Sequence, residues 1–334
     1  MKRLIQYIIA ICAIVAVNYL IEPQSYIQTI LNNIALFAIL ALSYNLINGV
    51  TGQFSLEPNG FVAIGAYFTA IMLLPTDTKI DMFALVDPAP IILKMHTSYT
   101  IIALIVSGVA ASFIAMLLSF PVFRVRGDYL AIVTLGFGFI IRIFAINNPQ
   151  FTNGAMGLND IPSDDNTMWY WISFIALITF VSMIHIIYSK FGRAMKAVRD
   201  DEDAATAMGI NTFKMKTYAF ITSAFFEGIG GGLMAIMITT ITPDQFNFLL
   251  TFQLLIIVVL GGLGSMSGTL IATILVIGGM EALRFLDDLK IGGETHPGLR
   301  MVVFSIILII VMLFARKGLL GDKELIDFFK KSKK

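Results

Sequence analysis

Charge and cysteine are what this sequence has least of. Only 13% of its 334 residues are Asp, Glu, Lys or Arg, where a soluble domain carries about 25%. The net charge is +1, so no basic field exists to hold a nucleic acid. The single cysteine, Cys12, excludes a disulfide framework and any cysteine-rich metal site. The three histidines, His96, His185 and His296, lie far apart with no H-E-x-x-H spacing, so neither a zinc site nor another metal centre is expected. There is no Walker A pattern for a nucleotide and no G-x-S-x-G elbow for a nucleophile. The chain is therefore expected to need no cofactor and to be no enzyme. Gly136/Gly138 and Gly228/Gly230 fall inside apolar runs, where glycines serve helix packing and not dinucleotide binding.

What is abundant is apolar length. Hydrophobic residues make up 57% of the chain, and the mean hydropathy is +0.84. A soluble fold cannot cover so much apolar surface, which leaves an all-α, polytopic membrane protein. Apolar runs stand at 4–21, 28–47, 61–74, 99–119, 129–147, 169–188, 217–239, 249–263, 266–286 and 299–315. At about 20 residues per span, they predict eight to ten transmembrane helices. The run 4–21 follows Lys2-Arg3 without a small-x-small cleavage site and reads as an uncleaved first span. Runs 61–74 and 249–263 are short and read as half-helices or parts of broken ones. With ten spans and the N-terminus inside, 17 of the 23 Lys and Arg fall in inner loops and the tail. This predicts both termini in the cytoplasm, with the basic tail 316–334 lying beside anionic lipid headgroups. The whole chain, 1–334, reads as a single transmembrane domain.

The one long charged segment, 189–216, reads SKFGRAMKAVRDDEDAATAMGINTFKMK. Ala194, Ala197, Val198, Ala205 and Met208 recur at helical spacing among charges, and Gly209 ends the run. This predicts a short amphipathic helix over 192–209, either resting on lipid or docking a soluble partner. The order Asp203-Ala204-Ala205-x-x-x-Gly209 resembles the E-A-A-x-x-x-G motif of ABC importer permeases, with Asp in place of Glu. RVRGDYLAIVTLGFGFIIR from Arg124, LINGVTGQFSL (46–56), FVAIGAYFTA (61–70), VVLGGLGSMSG (258–268) and GLRMVVFSIILIIVMLFARKGLLG (298–321) resemble the branched-chain amino-acid importer permeases of the LivM type. The resemblance runs from about residue 30 to 321, in the family's order. It implies the ABC importer permease fold and a multi-pass subunit of the inner (plasma) membrane. It further implies two ATP-binding subunits, a second homologous permease subunit and an extracytoplasmic substrate-binding protein as partners. In that family the charged loop is the coupling helix, which carries Gly192, Arg193, Asp203, Ala204, Ala205 and Gly209 to the ATPase. Two departures stand out. Glu57-Pro58-Asn59-Gly60 follows Ser55-Leu56 where the family often has a Gly-His-like pair, and Phe139 stands where a Glu often precedes the Ile-Ile-Arg.

Ionisable groups at membrane depth cost about 2.5–3.5 kcal/mol each on insertion scales, so each needs a reason. Glu227 lies mid-run among Gly228, Gly230, Gly231 and Gly232; it faces the permeation path or a subunit interface, or else it is protonated or hydrogen-bonded inside the bundle and only structural. Glu57 and Asn59 open a Gly/Pro-interrupted apolar segment, the kind of broken helix at which transporter backbones meet solutes. A plain turn is the other reading. Thr134 joins them as a candidate lining residue. Glu281 and Arg284 are three apart and can pair; Arg142 can pair or snorkel. Gly261-Gly262-Leu263-Gly264-Ser265 predicts a tight reversal between two spans. The function expected is import of branched-chain or related hydrophobic amino acids by alternating access, driven by separate ATPases. The rival is a self-contained secondary transporter or channel, which would need embedded carboxylates such as Glu227. A membrane enzyme lacks any clustered catalytic group.

Overall fold

Apolar runs near 20 residues without alternation form helices, because a buried backbone in apolar surroundings must satisfy its own N–H and C=O groups. The computed structural model describes residues 25–83, 87–125, 127–163, 165–287, 290–291, 294–295, 298–315, 317–321 and 324. Its principal helices are α1 (Tyr26–Asn45), α2 (Pro58–Leu73), α3 (Thr76–Met82), α4 (Thr100–Val122), α5 (Asp128–Asn147), α6 (Asp165–Tyr188), α7 (Lys190–Asp200), α8 (Glu202–Ala207), α9 (Thr212–Ile238), α10 (Phe248–Gly261), α11 (Met266–Ala282) and α12 (Leu299–Phe314). Among the described residues, seven helices are long and apolar enough to cross a membrane, or eight if α2 and α3 count as one bent span. The run 4–21 lies outside the described residues, as does most of the basic tail. Among the described residues the fold is all-α apart from a two-residue pairing, Lys290–Ile291 with Glu294–Thr295, and an isolated bridge between Leu158 and Ile241.

The short run 61–74 behaves as its length predicts. α1 does not end at Asn45 but widens into a π-turn at Leu46–Val50, and residues 52–57 then run without regular structure. α2 starts with Pro58 in its first turn, where a missing N–H costs nothing. After Leu73 the chain bends by 116° into α3. There Lys79 is buried, and its Nζ donates to the carbonyls of Ile92 (3.0 Å) and Met95 (2.6 Å), pinning the following loop.

α9 is the hub, packed along α2 and α4 and against α1. Its glycines permit this. A Cβ at Gly65 would collide with the Gly228 carbonyl, and one at Gly231 with the Val62 carbonyl, so the backbones themselves touch. Gly138 likewise lies against the Asn59 amide, whereas Gly136 faces open space. Large apolar residues such as Phe113, Phe120, Ile132, Ile140, Ile306 and Ile310 point outward from α4, α5 and α12, as lipid-facing helices require.

The pairings at depth follow the spacing. Glu281 meets Arg284 at 3.9 Å and accepts from the Tyr26 hydroxyl at 2.7 Å. Arg142 pairs with Asp244. The 261–265 reversal is present, with positive φ at Gly262 and Gly264. The chain after α12 crosses back over it: the Leu319 N–H donates to the Leu260 carbonyl at 2.8 Å. Glu324 then accepts from the Met266 and Ser267 N–H groups (2.7 and 2.9 Å) and from the Ser267 hydroxyl, supplying charge at the start of α11.

Candidate functional site

Two regions hold the residues singled out in the sequence: a lobe at one end of the bundle and a polar seam within it.

The lobe begins at Ser189, which leaves the helical conformation and accepts the Gly192 N–H at 3.2 Å, capping α7. Gly192 turns the chain so tightly that any Cβ would strike the carbonyls of Ile186 and Ile187. α7 buries Met195 and Val198 and leaves Arg193 and Asp200 outside. Phe191 stacks on Tyr218 of α9, with centroids 5.2 Å apart. The single helix expected over 192–209 is broken at Asp201. That residue is extended, and its carboxylate accepts from the Asp203 and Ala204 N–H groups (3.0 and 2.9 Å), so a side-chain cap starts a new helix, α8. Gly209 does end the run. At φ +82° its N–H reaches the Thr206 carbonyl (2.9 Å), and the next N–H, of Ile210, reaches Ala205 (3.0 Å).

Asp203, Ala204 and Gly209, like Arg193, are therefore exposed, whereas Gly192 and Ala205 are buried and shape the lobe from within. Met208, placed by its spacing on the apolar stripe, is instead 83% exposed, an apolar tip beside Gly209. Two contacts were not singled out in the sequence. Lys216 of α9, nearly buried, holds Glu202 at 2.7 Å and so ties α8 to the bundle. Arg199 donates to the Gly49 carbonyl at 3.3 Å, packs its stem over Gly52 and brings its guanidinium to Gly264. The turn it holds, 49–52, leads straight into the segment that carries Glu57. An arginine in a run of charges gives no sign of this, because its partners are backbone atoms distant in sequence.

The seam starts where that segment enters the core. It has no strand neighbour, so side chains take its backbone groups. Asn48 Oδ1 accepts the Ser55 N–H (2.8 Å), Tyr44 donates to the Ser55 carbonyl (2.7 Å), and Thr134 Oγ1 accepts the Leu56 N–H (2.8 Å). Asn59 is held by α10: Thr251 Oγ1 accepts its N–H and the Phe246 carbonyl accepts its side-chain amide, both at 3.3 Å. Glu57, Asn59, Thr134 and Glu227 are all buried. Glu227 accepts from Ser223 at 2.9 Å, and Ser223 also donates to the Ser43 carbonyl at 2.7 Å. Glu57 and Glu227 lie within electrostatic reach of each other and of Tyr44. Thr134 thus ties α5 to the segment at Leu56, and Asn59 is held against the start of α10. Among the described residues, no group of three or more His, Cys, Asp or Glu could hold a metal ion.

Comparison with known proteins agrees with this architecture. The family model for the permease component of branched-chain amino acid transport systems matches residues 26–312. The chain is similar to the high-affinity branched-chain amino acid transport system permease protein LivM of Escherichia coli, at 30% identity over 85% of this chain and 68% of that one. It is also similar to LivH of the same bacterium, at 24% identity over 90% and 96%, and to BraD of Pseudomonas aeruginosa, at 22% over 91% and 98%. No solved structure matches. A bundle of long apolar helices around a glycine-packed hub, matched by that model over most of its length, makes this chain a member of the branched-chain amino acid transport permease family, a multi-pass membrane transport subunit.

Proposed function

We propose that this subunit imports branched-chain or related hydrophobic amino acids by alternating access, and that ATP hydrolysed by two separate ATP-binding subunits drives it. The observation that carries this reading is the linkage of the lobe to the seam. Arg199 of α7 grips the 49–52 turn, and that turn leads within a few residues to Glu57 and α2. A push on α7 and α8 is thereby delivered to the segment that enters the core. Arg193, Asp203, Ala204, Met208 and Gly209 form the face that meets the ATP-binding subunit; Gly192 and Ala205 keep that face in shape. Glu57, Asn59, Thr134 and Glu227 belong to the part of the bundle that moves as the route opens.

The lobe, the 261–265 reversal and the chain after α12 share one end of the bundle, and the concentration of Lys and Arg supports a cytoplasmic location for that end and for both termini. A second, related permease subunit completes the membrane unit, and an extracytoplasmic binding protein delivers the solute and sets most of the choice among solutes. LivM and LivH of E. coli, both similar to this chain, support a pairing of two related permeases.

Affinity purification of the chain with its candidate ATP-binding subunits tests the docking face. Met208→Asp and Ala204→Trp change only exposed positions, and each is expected to release the ATP-binding subunit while leaving the permease monodisperse. Uptake into proteoliposomes that persists without any ATP-binding subunit would overturn the reading in favour of a secondary transporter.

A further inference from the structure

Near one end of the bundle, α2, α4 and α5 do not close on one another. Between them lies a cavity of about 340 Å³, roofed by the short helix Pro90–Lys94 and by Met95. Ile64 and Ile71 line it from α2, Ile114 from α4, Phe144 from α5, and Ile91 and Met95 from the roof. The walls present no polar atom to the space. The hydroxyl of Thr152, another wall residue, donates to the carbonyls of Ala145 and Asn148 instead. Protein interiors hold few voids larger than a water molecule, and a wall without donors or acceptors gives water nothing to bind. An apolar group suits this space. A zwitterionic head does not, because nothing there would replace its lost hydration.

The roof is tied down at both ends and in the middle. The Ala89 N–H reaches the Gln150 carbonyl at 3.1 Å, and the Thr97 N–H reaches the Met72 carbonyl at 2.8 Å. Between them Lys79 holds the carbonyls of Ile92 and Met95. The roof therefore keeps its place over the cavity and does not collapse onto α2.

The cavity opens towards lipid. Ile91 is 60% exposed and Phe144 55%, and Phe144 continues the outward face of α5 that carries Ile140. Its depth follows from α4. The far end of α4 sets Phe120 and Phe123 against Phe213, just beyond the lobe. The 23 residues of α4 span about 35 Å, slightly more than the apolar core of a bilayer, about 30 Å. The exposed Tyr99, at the start of α4, thus stands at the membrane interface opposite the lobe, where tyrosines gather. Met95 of the roof is four residues away. From there the cavity follows α2 inward from Ile71 to Ile64, about 10 Å of helix.

An apolar space that opens at headgroup level and runs inward matches a hydrocarbon chain whose polar end stays outside. We propose that this cavity is a binding site for one acyl chain of a membrane phospholipid, taken from the leaflet opposite the lobe. The site stands whether or not the importer reading does.

The test uses the purified chain, with any subunits that co-purify, in nanodiscs of dioleoyl phosphatidylcholine. A trace of the same lipid carries a photoactivatable diazirine on its acyl chain. After illumination and digestion, label is expected on 64–71, 91–95 and 141–145 in excess of that on the lipid-facing α12. Ala145→Phe fills the cavity from its wall and is expected to remove that excess while α12 is labelled as before. Label no denser on these segments than on α12 in the unmutated chain overturns the proposal, so the decision does not hang on the variant folding. An excess that survives unchanged in a folded Ala145→Phe chain also overturns it. Loss of the excess on adding free leucine to the unmutated chain overturns the acyl assignment and gives the cavity to the solute.

Discussion

The lobe at 189–211 and the seam around Glu57 and Glu227 are both polar, and they are built in opposite ways. In the lobe every turn is closed locally: Ser189, Asp201 and Asn211 cap the three helices that follow them, and Gly209 closes α8. It is a surface element whose shape is fixed before any partner arrives. In the seam the polar groups reach across the fold, and some find no partner among the described residues. Its shape depends on side chains distant in sequence. Under the proposed function, the locally closed lobe is the part that transmits motion and the seam the part that rearranges.

Three substitutions press on this contrast, the most damaging first. Gly228→Leu sets a side chain where α9 touches Ala111 and the Ser107 carbonyl of α4. Overpacking of this kind costs about 1–3 kcal/mol or more, and the expected result in a thermal melt is a complex that unfolds early or is not recovered at all. Arg199→Ala severs the lobe from the 49–52 turn and leaves both regions folded. The expected outcome is ATP hydrolysis within about twofold of normal and a fall of about tenfold in solute moved per ATP, equivalent to about 1.4 kcal/mol of lost coupling. A parallel fall in hydrolysis and uptake would make Arg199 merely structural. Asp201→Ala removes one cap from an exposed lobe, at about 0.5–2 kcal/mol. It is expected to raise hydrogen exchange across 202–208 without changing exchange at Glu57 or along α2; a change that spreads to the seam would show that the two regions are not independently built.

Much of this was legible in the residues. Run length and apolarity located the helices, the shortness of 61–74 betrayed the broken segment, and Gly209 marked the end of the lobe, because each of these is a local property of the chain. The break at Asp201 was hidden, since four acidic residues in succession, Asp200 to Asp203, offer several candidate caps and only the fold selects one. Glu57 and Glu227 were each noticed as anomalies, yet nothing in a linear sequence joins the helices that carry them; α2 and α9 are brought together through Gly65, Gly228 and Gly231. Arg199 was counted among the positive charges and missed as a link for the same reason.

The cap that Glu324 provides has a consequence for the order in which the molecule is made. The N–H groups of Met266 and Ser267 are bound by a carboxylate that is synthesised more than fifty residues later. Until that residue exists, the first turn of α11 and the glycine reversal before it lack their closing contact, on the same side of the bundle where Arg199 reaches Gly264. A nascent chain can insert every earlier helix and still hold this corner open. That corner therefore gains its last hydrogen bonds only when Glu324 arrives.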